Sequence, residues 1–290
     1  MPGTEGTAQF CGCKGIRSCL ICEQFGSKVS KAAEQVQKVI FNYDSATGFA
    51  VHKADTGQEA LSFSFPGIIL LKDFVSEEEE MELVRLMDLS DWKKSQSGRF
   101  KQDYGPKVNF KKQKVKVGSF SGLPSFSQNV IERMKKWPIL CGFQPVEQCN
   151  LDYHPSRGSA IDPHFDDNWL WGERLVSLNL LSPTTLSMSS DSDDLFSVSV
   201  GHMSDGHQAV QNLPASKIKV KIHLPQRSLV VVYGDARFKW MHAIQRQDIL
   251  QRRICITFRE LSPDFLQGGV HESLGSQLLG IAQGFQGMPL

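Results

Sequence analysis

No apolar run in this 290-residue chain approaches the roughly 20 residues that a membrane-spanning helix needs. The opening residues, Met1 to Phe10, carry neither a basic stretch nor an apolar core, so no secretory signal is expected and a soluble, intracellular protein is predicted. A surplus of either charge is also missing. Lys plus Arg number 32 and Asp plus Glu 31, which excludes binding of nucleic acid or of an acidic partner by bulk charge and leaves only local patches. An even, regularly spaced set of cysteines is absent too: there are seven, and an odd number in a reducing compartment argues against a disulfide framework. The length suits one large domain with a substantial core, and nothing demands two.

What is present begins with Cys11-Gly12-Cys13 and Cys19-Leu20-Ile21-Cys22. Four thiolates in so short a span, Cys11, Cys13, Cys19 and Cys22, can wrap one tetrahedral zinc, with Gly12 and Gly15 permitting tight turns and Lys14 and Arg17 offsetting charge. The competing reading is a flexible, reduced tail. Residues 26–38 read as a polar linker, so 1–38 is expected to stand apart from a domain over 39–265, with a tail or helix over 266–290.

From Val39 the pattern is that of strands: Val39 to Tyr43, Phe49 to Val51, Phe63 to Phe65 and, past Pro66-Gly67, Ile68 to Leu71. Ser76 with Glu79 is a capping box opening a helix on which Leu83, Leu86 and Met87 share a face. A second helix is expected from about Ser127 to Lys136, stopped by Pro138. Residues 93–116, between the helices, carry nine bases against the single acid Asp103, interleaved with Phe100, Tyr104 and Phe110. This segment reads equally as a basic lid for DNA, RNA or an acidic protein surface, with Arg99, Tyr104 and Lys107 as contacts, and as a solvated hairpin. Residues 184–216 show no sustained period and are Ser/Asp-rich from Ser187 to Asp194. They are expected to form an exposed insertion open to phosphorylation, with His202 and His207 as loop histidines.

The chemistry gathers at Ile161 to Asp167. His164 and Asp166, two apart in an extended segment, point to one side and can grip one metal ion. A second histidine from a distant strand would complete a two-histidine, one-carboxylate face with positions left open, as non-haem iron(II) oxygenases need for dioxygen and a co-substrate. His242, in an apolar setting after the strand Leu229 to Val232 and the Gly234 turn, is the expected third ligand. Downstream, Arg253, Cys255, Thr257 and Arg259 share one face of a strand whose other face is Ile254, Ile256 and Phe258. Arginines inside such a strand call for carboxylates, and a dicarboxylate co-substrate fits; on this segment alone, surface arginines on an edge strand are the simpler account. Trp169 and Trp171 would put both indoles near the metal, with core packing as the competing role for at least one.

Taken together, His164 and Asp166 in HxD, His242 after the Gly234–Trp240 turn, and Arg253 and Arg259 in RxxxxxR resemble the AlkB family of iron(II) and 2-oxoglutarate dioxygenases. The resemblance covers most of the chain. It implies a mainly β fold with supporting helices, a double-stranded β-helix or jelly roll, with Fe(II), 2-oxoglutarate and O2 as cofactors. It also implies that His164, Asp166 and His242 bind iron, that Arg253 pairs with the distal carboxylate of 2-oxoglutarate, that Arg259 lies at its metal-binding end, and that Tyr153 and Asn150 contribute from the preceding strand. Cys255 stands where the family often has Asn, which removes one co-substrate hydrogen bond. The implied reaction is oxidative N-demethylation. One branch, matched through the Cys-rich head, Ser97 to Asn109, Cys149 to Tyr153 and Asp167 to Leu181, implies monomethyl-lysine of actin as substrate. With it come roles in actomyosin assembly and cytokinesis and a monomer located in cytoplasm (contractile ring, midbody) and nucleus or nucleolus. The alternatives are N6-methyladenine in DNA, or a non-catalytic module for chromatin, transcription or cytoskeletal proteins.

Overall fold

The computed structural model describes residues 12–13, 19–24, 38–52, 60–201 and 209–290. Among them the strands form two large sheets and one small hairpin. The first sheet runs, edge to edge, through Ile161–His164, Met241–Ile244, Thr184–Ser189, Ile218–Leu224, Val39–Asp44, Phe49–His52, Leu61–Ser64, Leu195–Val200 and Ala209–Pro214. The second runs through Ile68–Leu71, Ser228–Val232, Trp171–Leu180, Arg253–Leu261, Pro145–Tyr153, Phe100–Tyr104 and Lys93–Lys94. Pairing is antiparallel except between Val39–Asp44 and Ile218–Leu224. The result is the expected double-stranded β-helix, mainly β with supporting helices.

The alternation of side chains along each strand of the second sheet separates two cores. Ile254, Ile256 and Phe258 join Val176, Leu178, Leu180, Leu229 and Val231 in a cluster under the helices. Full burial of side chains this size stabilises by about 1.5–3 kcal/mol each. The opposite parity, including Leu175, Val230, Val232, Tyr153 and Cys255, faces the first sheet and meets Leu186, Met188, Ile222 and Ile244. The site lies within this second core.

Three helices brace the outer face. Glu77–Asp88 begins at the expected capping box: Ser76 Oγ accepts from the Glu79 amide, and Glu79 accepts from the Ser76 amide at 2.8 Å. Glu79 also accepts from Arg133 Nη1 at 2.8 Å, which ties this helix to Gln128–Met134. The third, Glu272–Ala282, comes so close to the chain at Phe265 that a Cβ on Gly275 would lie 1.7 Å from the Phe265 carbonyl oxygen.

Within 184–216 the expected exposed insertion is corrected at 184–190, which is largely buried, whereas 191–195 and 209–212 face solvent. Thr184–Ser189 is an interior strand, and Leu195–Val200 pairs with Ala209–Pro214 at the sheet edge. Ser187, Ser189 and Ser190 are buried, so they are closed to a kinase in the folded chain. Leu186 and Met188 alternate with Ser187 and Ser189, but the serine face is buried as well, so the polar face that alternation would assign to solvent is covered here. His202 and His207 lie outside the described residues.

The lid also needs correction. Phe100–Tyr104 pairs with Pro145–Tyr153 as sheet, and Arg99 and Tyr104 are buried, 5% and 2% exposed. The pairing consumes the backbone that a mobile lid would leave free. What remains is the hairpin Lys107–Asn109 with Lys114–Lys116, whose lysines, Lys107 included, face solvent while Val108 and Val115 pack on the helical-side core.

Candidate active site

The triad is assembled by register. Ile161–His164 pairs antiparallel with Met241–Ile244 so that His164 stands opposite His242, with ring centroids 4.3 Å apart. Met188 backs His242 from the neighbouring strand. Asp166 follows two residues after His164, with Oδ1 3.8 Å from His164 Nε2. One atom from each of the three lies within 4.8 Å of the others, close enough to hold one metal ion.

Each donor is held in its ligating form by its surroundings. The Asp162 carbonyl lies 2.8 Å from His164 Nδ1, which places the proton there and leaves Nε2 as the lone-pair donor. Burial works to raise the pKa of Asp166, but the Arg259 guanidinium overrides it and keeps the carboxyl ionised well below the usual range. Arg259 Nε and Nη2 donate to its two oxygens at 2.9 and 3.2 Å, and Nη1 donates to Glu147 at 2.6 Å. Burial and the adjoining His164 push His242 down to about 3, so it remains a neutral ligand.

The triad lines a cavity of about 70 Å³ between the sheets. That is several times the roughly 10–15 Å³ one water requires. Leu151, Leu175, Leu186, Leu224, Val230 and Ile244 give it apolar walls, and Tyr153, Ser177, Thr257, Arg253 and Arg259 supply the polar groups. Arg253 is 2% exposed and belongs to an interior strand, so the edge-strand account of the arginines fails. Its Nε donates to Asn179 Oδ1 at 2.6 Å, its Cζ lies 4.8 Å from the Tyr153 ring centroid, and its Nη1 has no hydrogen-bond partner among the described residues. A buried guanidinium without a carboxylate is costly, and a small acid in the cavity would remove that cost.

Of the residues singled out in the sequence, His164, Asp166, His242, Arg253, Arg259 and Tyr153 meet here. Asn150 does not. It lies at the opposite parity from Leu151 and Tyr153, faces away from the cavity, and is occupied by Gln102 and Gln148. Trp171 is buried in the helical-side core with Arg259 5.9 Å from its ring, and Trp169 packs near Phe265, so neither indole lines the cavity. None of residues 93–116 lines it either. Asn179, Ser177 and Glu147 were missed; Ser177 and Asn179 break the apolar run of their strand at a spacing of two, which marks a polar face.

Enzymes that activate dioxygen on iron with a 2-oxo acid need an open-sided two-histidine, one-carboxylate grip and a cation to seat the acid's far end. A jelly roll with both in one cavity is of this class. No family model matches the chain. It is 54% identical over 295 residues to alpha-ketoglutarate-dependent dioxygenase alkB homolog 4 of Homo sapiens, covering 99% of this chain and 98% of that protein. The Mus musculus protein of the same name is 53% identical over 97% of each chain. A Caenorhabditis elegans protein named DNA N6-methyl adenine demethylase is 32% identical, over 93% of this chain and 94% of its own. The chain belongs to the AlkB family of alpha-ketoglutarate-dependent dioxygenases, with alkB homolog 4 among its near relatives.

Proposed function

We propose that the chain is an AlkB-type oxidative demethylase acting on monomethyl-lysine of actin, and through it on actomyosin assembly and cytokinesis. The reaction class rests on Arg253 Nη1, partnerless among the described residues, in the same cavity as the triad. In this reading His164 Nε2, Asp166 and His242 hold iron(II), and Arg253 takes the distal carboxylate of 2-oxoglutarate. Bound iron(II), with 2-oxoglutarate and dioxygen, supplies the oxidising power that hydroxylates an N-methyl carbon, and the hemiaminal then loses formaldehyde. Arg259 keeps Asp166 ionised and oriented, and the leucine and valine walls limit water.

A protein substrate is favoured by a second cavity, of about 670 Å³, bordered by Phe165 and Met241, which adjoin the triad residues in sequence. Asp191, Asp194 and Asp235 line it against the single base Lys239, together with the aromatic rings of Phe165, Phe238 and Trp240. Carboxylates and ring faces attract a protonated methylamine, while a phosphate backbone is repelled by them. A second reading, N6-methyladenine in DNA, is favoured by the exposed lysines of the 107–116 hairpin and by the name of the nematode relative.

Monomethyl-lysine actin and an N6-methyladenine oligonucleotide, each incubated with the chain, iron(II), ascorbate and 2-oxoglutarate, separate the readings when methyl loss is followed by mass spectrometry. Loss from actin, abolished in a His164→Ala, Asp166→Ala double variant, is expected. Loss from DNA alone would overturn the lysine assignment, and loss from neither would favour a binding module.

A further inference from the structure

Outside the dioxygenase cavity, three cysteine thiols converge. Cys13, Cys19 and Cys22 offer sulfurs that all lie within 4.8 Å of one another. The Cys19 and Cys22 sulfurs are 3.8 Å apart, far beyond the roughly 2.05 Å of a disulfide, so no disulfide joins that pair. The Ser97 amide donates to Cys13 Sγ at 3.1 Å, the kind of outer hydrogen bond that supports a metal thiolate.

The helix that carries Cys22 and begins directly after Cys19, Leu20–Gln24, is five residues long. That is well short of the roughly 12–15 residues at which an isolated helix becomes marginal in water. Its place is nonetheless defined by contacts to the loops that feed the triad strands. Glu23 accepts from Arg246 Nη1 and Nη2 at 3.0 and 2.7 Å, and Arg246 lies two residues after the strand that carries His242. Arg246 Nε also donates to the Gly158 carbonyl, against which Leu20 packs so closely that a Cβ on Gly158 would lie 2.6 Å from Leu20 Cγ. From the other side, the Ser97 carbonyl accepts from the Ala160 amide at 3.1 Å, one residue before the strand that carries His164.

We infer that Cys13, Cys19 and Cys22 bind a structural zinc ion that clamps residues 95–99 and 157–160 together and so sets the approach of both histidine-bearing strands. Zinc fits because clustered cysteine thiolates are a structural zinc environment, and its filled d shell performs no redox chemistry beside an oxidising site. Each thiol gives up a proton to solvent as it ligates. The three sulfurs leave one position of a four-coordinate ion to a further donor; Cys11 lies outside the described residues. The clamp is independent of the substrate and of the dioxygenase reaction.

The test uses the full chain purified from cells supplied with zinc and iron. Elemental analysis is expected to give about one zinc per chain, retained when a mild chelator removes metal from the His/Asp site and released by an organomercurial. Cys19→Ser should lower zinc to a small fraction of that, Cys22→His should keep it because imidazole also ligates zinc, and Cys141→Ser, exposed and elsewhere, should leave it untouched. On zinc loss, amide hydrogen exchange should quicken at 95–99 and 157–164 and remain slow in Arg253–Leu261. A wild-type chain without zinc whose Cys13, Cys19 and Cys22 alkylate as fast as Cys141 would overturn the site, as would the absorbance of an iron–sulfur cluster. Zinc retained in Cys19→Ser would overturn the ligand assignment, and unchanged exchange on zinc release would overturn the clamp.

Discussion

The cavity has two arginine-bearing ends that differ in how far the protein completes them. At the triad end, Arg259 is saturated: two donors go to Asp166 and one to Glu147. At the far end, Arg253 is more deeply buried but has, among the described residues, only Asn179 and the Tyr153 ring, with Nη1 left over. Arg259 is therefore part of the folded structure, neutralising a partly buried carboxylate pair, whereas Arg253 is stabilised less by the protein than by what enters beside it. Two residues of one type, six apart on one strand, thus fall on either side of the line between architecture and binding.

Replacing Arg259 should break the comparison most severely. Arg259→Leu leaves Asp166 and Glu147 buried without a cation, and removing one partner of such a pair costs about 3–5 kcal/mol. Urea unfolding of the metal-free chain should show this loss, and a midpoint equal to that of the wild type would mean the pairing is not structural. Arg253→Leu should behave in the opposite way. Its metal-free stability should change little, while 2-oxoglutarate binding weakens by about 2–5 kcal/mol, read by co-substrate titration. Unchanged saturation would remove Arg253 from the acid's seat.

Asn150→Ala sharpens the same contrast on the neighbouring strand. It removes a buried amide from the Gln102–Gln148 network and should cost about 1–3 kcal/mol of stability with no change in the 2-oxoglutarate requirement. A raised requirement with normal stability would return Asn150 to the site. The shallowest effect is a slope with pH. His242 takes a proton at about 3 in the fold against 6.5 for an ordinary histidine. Between those values the unfolded chain binds a proton that the folded chain refuses, so stability falls as pH is lowered through 6.5 toward 3. The slope is at most about 1.4 kcal/mol per pH unit from this residue. Urea midpoints of the metal-free wild type across that window should carry the slope, and His242→Gln should lose it.

Much of the second sheet was legible because its strands alternate. Arg253, Cys255, Thr257 and Arg259 share one face and Ile254, Ile256 and Phe258 the other, as spacing alone predicts. The same rule placed His164 beside Asp166. It went unused for Thr184–Ser189, where Leu186 and Met188 alternate with Ser187 and Ser189 over too few residues to stand out from the Ser/Asp-rich run that follows, and where the serine face is buried too. It was overlooked for Asn150, whose single-residue offset from Leu151 turns it out of the cavity. The lid reading of Arg99 and Tyr104 failed because charge and aromatic content carry no information about which backbone is paired.

Local sequence determined the elements with short-range causes: the Ser76 capping box, the strand parities, and the two-residue spacing of His164 and Asp166. Only the tertiary structure decided that His242 meets His164, that Arg259 is saturated while Arg253 is not, and that three cysteines converge beside the loops feeding the triad. Each of these depends on pairing and register between segments far apart in the chain. A strand's own residues state which of its faces is polar, but not which strand will lie against it.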